Sequence, residues 1–214
     1  MSGFPVPTTR RRRTTALGTV LGVCSLALAA CGSAGPPPVT YVLGPPEAGT
    51  EGSESLTGRP VVEVKPVLLP DYLDVTDILV RRAANMVASS ATGRWGERLS
   101  VGVTRALALG LTRRLPDIIV TTTEPTERPA RQLLAEVETF EPRADGSVVL
   151  VARWRVLDGG GRETLAGERV SLKESMAEPG DAAIVAAMTQ AVENLADRVA
   201  AGVRRAMPAP RPGR

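Results

Sequence analysis

From Arg131 to Lys173 the chain runs through three successive stretches of alternating side chains, and this period-two pattern constrains the fold more than any other feature. In Arg131–Phe140, Leu133, Ala135 and Val137 fall on one side, and Glu136 and Glu138 on the other. In Ser147–Leu157, Val148, Leu150, Ala152, Trp154 and Val156 share one side, with Arg153 and Arg155 opposite. An extended strand sends successive side chains to opposite faces, so each run has one face for a core and one for water. Asp145-Gly146 separates the first two runs and is a hairpin signal. Gly159-Gly160-Gly161 joins the second run to a third, Glu163–Lys173. The expectation is an antiparallel meander with one apolar and one polar face.

Two helical patterns flank it. Arg94–Leu115 repeats Trp95, Leu99, Val103, Leu107, Leu111 and Leu115 every four residues, and Ala106 and Gly110 widen the stripe. Arg94, Arg98, Arg105 and Arg113 fall away from it, and Pro116 stops it. Gly102, Ala106 and Gly110 are small residues four apart, expected to serve core packing. Asp181–Met207 carries a stripe of Ile184, Met188, Ala191, Val192, Leu195, Val199, Val203 and Ala206. Asp181 is the expected N-cap after Pro179-Gly180, and Arg204-Arg205 suit the negative end of the helix dipole. Shorter strands are expected at Tyr41–Leu43, Val61–Leu69, Ile78–Val80 and from Ile118. Nothing repeats at a fixed period. The reading is an α+β fold: a largely antiparallel sheet with two long amphipathic helices on one face.

Composition narrows the chemistry. The 214 residues include no His, and the two Cys are Cys24 and Cys31. Everything after Cys31 lacks both thiol and imidazole. That removes Cys/His zinc sites, haem ligation, Ser-His-Asp triads, Cys-His dyads and disulfide frameworks. The chain has neither a P-loop nor G-x-S-x-G nor G-x-G-x-x-G, so no cofactor or metal is expected. Asp71, Asp74 and Asp77 are the one spaced acidic set and read as a solvated turn with an N-cap. The net charge of +3 comes from Arg10–Arg13; from Cys31 onward 22 basic residues face 23 acidic ones, a net of −1. No basic face for nucleic acid follows from that balance.

The N-terminus is an address. Arg10–Arg13 precede a charge-free apolar stretch, Ala16–Ala30, of the length of a secretory signal rather than of a membrane span. Leu28-Ala29-Ala30-Cys31 resembles the lipobox of bacterial lipoproteins, in which Cys becomes the acylated first residue. Cys24 is the poorer candidate because Val23 precedes it. Cys31 is therefore the expected lipidation site, with residues 1–30 as signal peptide. Residues 31–38 form a Gly/Pro tether, 39–207 the folded domain and 208–214 a Pro/Arg tail. Ordinary cleavage nearby would instead release a soluble protein. Gly32 after the Cys resembles the outer-membrane default of enteric-type bacteria.

Val64-Lys65-Pro66-Val67-Leu68-Leu69-Pro70-Asp71-Tyr72-Leu73-Asp74, then Ile78–Arg82, then Arg94-Trp95-Gly96-Glu97-Arg98-Leu99, resemble the ABC-type transport auxiliary lipoprotein family. The family of the paraquat-inducible protein C lipoproteins shows a V-x-P-V-x-L-P-x-Y-L-D-R segment, an I-V-x-R strand and an R-W-A-E-x-L helix start. Val75 stands where Arg is common and Gly96 where Ala is common, and the loop Gly44–Pro60 is long. The resemblance implies a non-catalytic, lipid-anchored, periplasm-facing subunit of an intermembrane lipid transport system. Its implied partners are a mammalian-cell-entry-type substrate-binding protein with its ABC transporter, the membrane, and in a homo-oligomeric ring further copies of itself. Asp71, Tyr72, Leu73 and Asp74 form the candidate partner-binding loop; covering of a sheet edge by Tyr72 and Leu73 is the equal alternative. Arg94 and Trp95 are the second candidate, with Trp95 first a core anchor. Two other classes stay open: a lipid carrier with its own apolar cavity, and an enzyme using carboxylates alone.

Overall fold

The computed structural model describes residues 37–44 and 57–208. The expected signal peptide, Cys31, most of the tether, residues 45–56 of the long loop and residues 209–214 of the tail lie outside the described residues. No helix among the described residues is long and apolar enough to cross a membrane.

The elements run β1 (Val39–Tyr41), β2 (Val61–Val64), β3 (Asp77–Ala83), β4 (Met86–Trp95), α1 (Leu99–Arg114), β5 (Ile119–Thr121), β6 (Arg131–Pro142), β7 (Ser147–Asp158), β8 (Thr164–Ser175) and α2 (Asp181–Ala206). The class is α+β, as the sequence pattern implies. The strands form two sheets rather than one: β1-β4-β3 and β5-β2-β6-β7-β8. The long ladders, β3–β4, β6–β7 and β7–β8, are antiparallel. The short strands β1 and β2 add on in parallel, to β4 and to both β5 and β6.

The meander is where the alternation puts it. Val148, Leu150, Ala152, Trp154 and Val156 are buried beneath the helices. Glu136, Arg153 and Arg169 stand in register on the other face. Both turns are built by their expected residues. Gly146 takes φ 80°, and Asp145 Oδ1 accepts from Ser147 N and Oγ. At the glycine turn, Asp158 accepts from the backbone N–H groups of Gly160, Arg162 and Glu163. Those bonds, that of Glu163 first, hold its carboxyl down at about 2.

α2 lies over β6, β7 and β8, and α1 packs beside α2 and β5. Small residues set the closeness. A Cβ on Gly110 of α1 would stand 2.9 Å from Ala196 Cβ of α2, so the two helices meet through a Gly–Ala contact. A Cβ on Gly202 would stand 2.2 Å from Trp154 Cη2, so the indole of β7 packs against bare α2 backbone. One apolar cluster unites both sheets and both helices. Around the helix pair, Arg114 bridges Asp197 at 2.6 Å and Glu193 at 2.8 Å, and Arg113 also pairs with Glu193.

Three expectations are corrected. α1 begins at Leu99, not Arg94: residues 86–95 form a strand whose Gly93 and Trp95 point inward and whose Arg94 points out. Trp95 lies four residues before Leu99 and so mimics a helical stripe, yet it pairs with Tyr41 of β1. Asp181 does not cap α2; Gly180, at φ 122°, is the N-cap and Asp181 is the first helical residue. Arg105 is not a free surface charge, since it donates to Glu97 Oε1 and, at 2.9 Å, to the carbonyl of Leu43.

Candidate partner-binding surface

The segment Val64–Asp74 folds as a strand broken once and then turned. β2 lies between β5 and β6 in its sheet, and Pro66, which has no N–H, interrupts the ladder just after it. Val67 is buried, and its N–H goes instead to Thr104 Oγ1 of α1 at 2.9 Å. Pairing with β6 resumes at Leu68, which donates to Ala135 O at 3.1 Å and accepts from Val137 N at 2.8 Å. Pro70 then opens a turn closed by Leu73 N to Pro70 O at 2.9 Å. The turn delivers Asp74 to the start of α1, where Oδ1 accepts from Ser100 N at 2.9 Å and Oδ2 pairs with Arg98. α1 has no cap of its own, so this carboxylate from a distant loop satisfies one of its free N–H groups.

Most of the segment is thus spent on packing, and two large side chains are left out. Leu68 is 65% exposed and Tyr72 44% exposed. Leu68 sits at a groove of about 560 Å³ on the outer face of the five-stranded sheet, with Lys65, Pro66, Leu134 and Arg155 around it. Lys65 is tied to Glu63, and Arg153, also on the rim, to Glu138 at 3.1 Å. Arg155 has no ion-pair partner among the described residues. An apolar centre inside a charged rim is the anatomy of a protein-binding patch.

Tyr72 is anchored from beneath. Its hydroxyl donates to Glu141 Oε1 at 2.6 Å, and Arg81 Nε donates to Glu141 Oε2 at 2.8 Å. The Arg81 guanidinium also lies 5.9 Å from the Tyr72 ring centre, within cation–π range. Glu141 is only 2% exposed. Burial pushes its carboxyl up, but the hydrogen bonds from Arg81 and Tyr72 outweigh it and hold the group below the usual 4.5. Burial and the Glu141 bond both raise the Tyr72 phenol above 10.0. An ion pair between buried Glu141 and partly exposed Arg81 therefore ties β3 of one sheet to β6 of the other.

The structure distributes the sequence-derived candidates unequally. Asp71 and Tyr72 are at the surface. Leu73, 2% exposed, and Trp95, 4% exposed, belong to the core cluster and present no surface to a partner. Asp74 holds α1, and exposed Arg94 reaches only Thr40 Oγ1 at 3.5 Å. Asp77 accepts from Ser89 Oγ at 2.7 Å, so the three spaced aspartates do not converge. Leu68, absent from the candidates, follows buried Val67, and Pro66 shifts the alternation around it. Among the described residues no group of three or more His, Cys, Asp or Glu side chains could hold a metal ion.

Among the exposed features of this α+β domain are an apolar groove and a tyrosine clamped by an ion pair. The family model of the ABC-type transport auxiliary lipoprotein component matches residues 41–200, and the chain belongs to that family. Among solved structures, an uncharacterized protein is similar at 19% identity with a TM-score of 0.65, covering 78% of this chain and 99% of the other. Protein XCC0632 from Xanthomonas campestris, of family DUF330, is similar at 15% identity with a TM-score of 0.58, covering 78% and 91%. At these identities the likeness is one of fold. No curated protein matches this chain.

Proposed function

We propose that this auxiliary lipoprotein is a non-catalytic, lipid-anchored adaptor of a mammalian-cell-entry-type lipid transport system. It docks the periplasmic substrate-binding subunit through the Leu68–Tyr72 surface. The observation that carries the reading is the exposure of Leu68 and Tyr72 within a motif whose Val64, Val67 and Leu73 are buried and whose Leu69 is partly buried. An exposed Leu and an exposed Tyr, eleven residues of motif holding them in place, have a hydration cost that a partner would relieve. Asp71, exposed beside Tyr72, supplies charge; Arg94, exposed on β4, is a second charged candidate. Attachment is through Cys31, with the outer membrane as the site of anchoring. Two or more acyl chains on that Cys give stable anchoring where a single chain is marginal. β8, an edge strand of 12 residues, offers a border for self-association into a ring.

A carrier with an internal lipid cavity is less well supported. The space enclosed between Leu73, Trp95, Leu99, Phe140 and Met188 is about 10 Å³, far below the hundreds of Å³ a ligand needs.

The test is a pull-down of the substrate-binding subunit with Leu68→Asp and Tyr72→Ala, beside a melting curve of each. Leu68→Asp should weaken binding about tenfold or more and leave melting within about 2 °C, as a surface change does. Wild-type binding by both variants would remove this surface as the dock. Labelled palmitate tests the anchor: Cys31→Ala should lose it, and undiminished label would move the site to Cys24.

A further inference from the structure

A second cavity lies away from the docking surface, between the β3–β4 hairpin and the segment leading into α2. It holds about 670 Å³, within the range of small-molecule sites. Its walls carry charge of both signs: Arg82 and Arg143, and Glu178 and Asp181. None of these arginines lies within 4.0 Å of a carboxylate oxygen among the described residues, so the opposite charges share a cavity without pairing. Arg82 and Arg143 also line the adjoining cleft with Arg81, Glu141 and Asp145, whereas Glu178 and Asp181 do not.

One of the carboxylates is positioned rather than loose. Asp181 Oδ2 accepts from Ser90 Oγ at 2.9 Å and from Thr92 Oγ1 at 2.6 Å. Ser90 Oγ in turn accepts from Thr92 N and Gly93 N. A Cβ on Gly93 would stand 2.6 Å from Asp181 Oδ2, so glycine is what lets the carboxylate lie against β4. Oδ1 is left with no hydrogen bond among the described residues. Val80 and Ile184 give the cavity an apolar floor.

We propose that this cavity binds a phosphate monoester or diester that also carries a primary ammonium group, the chemistry of phosphoethanolamine. Arg82 and Arg143 take the phosphate, with guanidinium donors matched to its oxygens. Asp181 Oδ1 and Glu178 take the ammonium, whose three N–H donors suit carboxylates. A simple anion would satisfy the arginines and be repelled by the acids; a zwitterion satisfies both walls. The same chemistry occurs as a free ester and as a lipid headgroup, and the experiment separates the two. The inference is independent of the docking reading, because Leu68 and Tyr72 do not line this cavity.

The full-length chain in detergent micelles is examined by native mass spectrometry with phosphatidylethanolamine, phosphatidylcholine and phosphatidylglycerol, and with O-phosphoethanolamine as competitor. Phosphatidylethanolamine should be retained about tenfold over the other two, since one has an ammonium without N–H donors and the other no ammonium. Arg82→Gln with Arg143→Gln should lower its retention about tenfold. Glu178→Gln, at an exposed position, and Asp181→Asn should each reduce the preference over phosphatidylglycerol, and Leu68→Asp should leave it intact. Displacement by O-phosphoethanolamine identifies the headgroup alone as ligand; failure to displace identifies the lipid. Equal retention of all three lipids by the wild type, or retention untouched by the arginine pair in a folded variant, overturns the proposal.

Discussion

Gly202→Ala should destabilise the domain although it improves a helix. In an exposed helix interior, alanine is worth about 1 kcal/mol over glycine. Gly202 is buried in α2, and an added Cβ would meet Trp154 Cη2 at 2.2 Å, Cζ3 at 2.5 Å and Cζ2 at 3.3 Å. Ordinary contact begins near 3.4 Å, so ring or helix must move by about 1 Å. The indole is 1% exposed and enclosed in the core, so it has little room to yield. Overpacking of this kind costs about 1–3 kcal/mol, and a rigid ring facing backbone belongs at the upper end. Set against the propensity gain, the net loss is about 2 kcal/mol, or about 4–8 °C in a domain of this size. Urea unfolding followed by tryptophan fluorescence reads it directly, since Trp95 and Trp154 are the only two indoles. The same substitution in a Trp154→Leu background should cost at least about 1 kcal/mol less, because the obstacle is gone. An undiminished cost in that background, or a Gly202→Ala protein more stable than wild type, refutes the contact.

Asp74→Ala should cost about 1–2 kcal/mol through loss of the bond to Ser100 N, with helix signal lost first near α1; unchanged hydrogen exchange at Ser100 would count against it. Glu141 sits below its unfolded value, so its stabilisation is full above about 4.5 and is lost as pH falls through the folded value. Glu141→Gln should therefore flatten the acid limb of a stability-against-pH profile, and a parallel profile would contradict that. Leu107→Ala, at a fully buried position, should cost about 2–5 kcal/mol in chemical unfolding. Arg105→Ala should cost about 1 kcal/mol, since Glu97 and the Leu43 carbonyl lose their donor; a loss equal to that of Leu107→Ala would refute the orientation of α1.

What could be read from the chain and what could not divides along physical lines. The β6–β8 meander and the stripe of α2 were legible because side-chain period alone carries them. β4 was not, because its Ala-Ser-Ser-Ala-Thr-Gly run has no apolar alternation, and its inward residue is a glycine. Trp95 then misled by spacing: four residues before Leu99 suits a helix, and no local signal marks its pairing with Tyr41. The division into two sheets, and the parallel placement of β1 and β2, rest on contacts far apart in sequence. The surface followed the same rule. The turn chemistry of Pro70 marked a loop at Asp71–Asp74, but which of Tyr72 and Leu73 the domain covers could not be told without the fold. Glu141 and Arg81 lie 60 residues apart, and nothing near either one announces the other.

The Glu141–Arg81 pair bears on why that surface has a fixed shape. Glu141 is buried and Arg81 partly so, and removing charge from water is costly, so such a pair often adds no more stability than apolar side chains of the same size. Its effect here is geometric. Arg81 belongs to β3 in one sheet, Glu141 to β6 in the other, and Tyr72 to the segment between β2 and β3. Apolar packing alone would allow the hairpin to slide on β6, since dispersion contacts have no direction. The carboxylate has two oxygens and both are used by named donors, so only one relative placement satisfies it. Leu68 is fixed to β6 by its own backbone bonds, and Tyr72 to Glu141 on the same strand. Both exposed side chains are thereby referred to β6, and their separation is set before any partner arrives. Substituting the pair by Met and Leu would keep the volume and discard the direction. Such a variant should melt close to the wild type and yet hold Tyr72 in more than one place, which the line widths of its ring resonances would report.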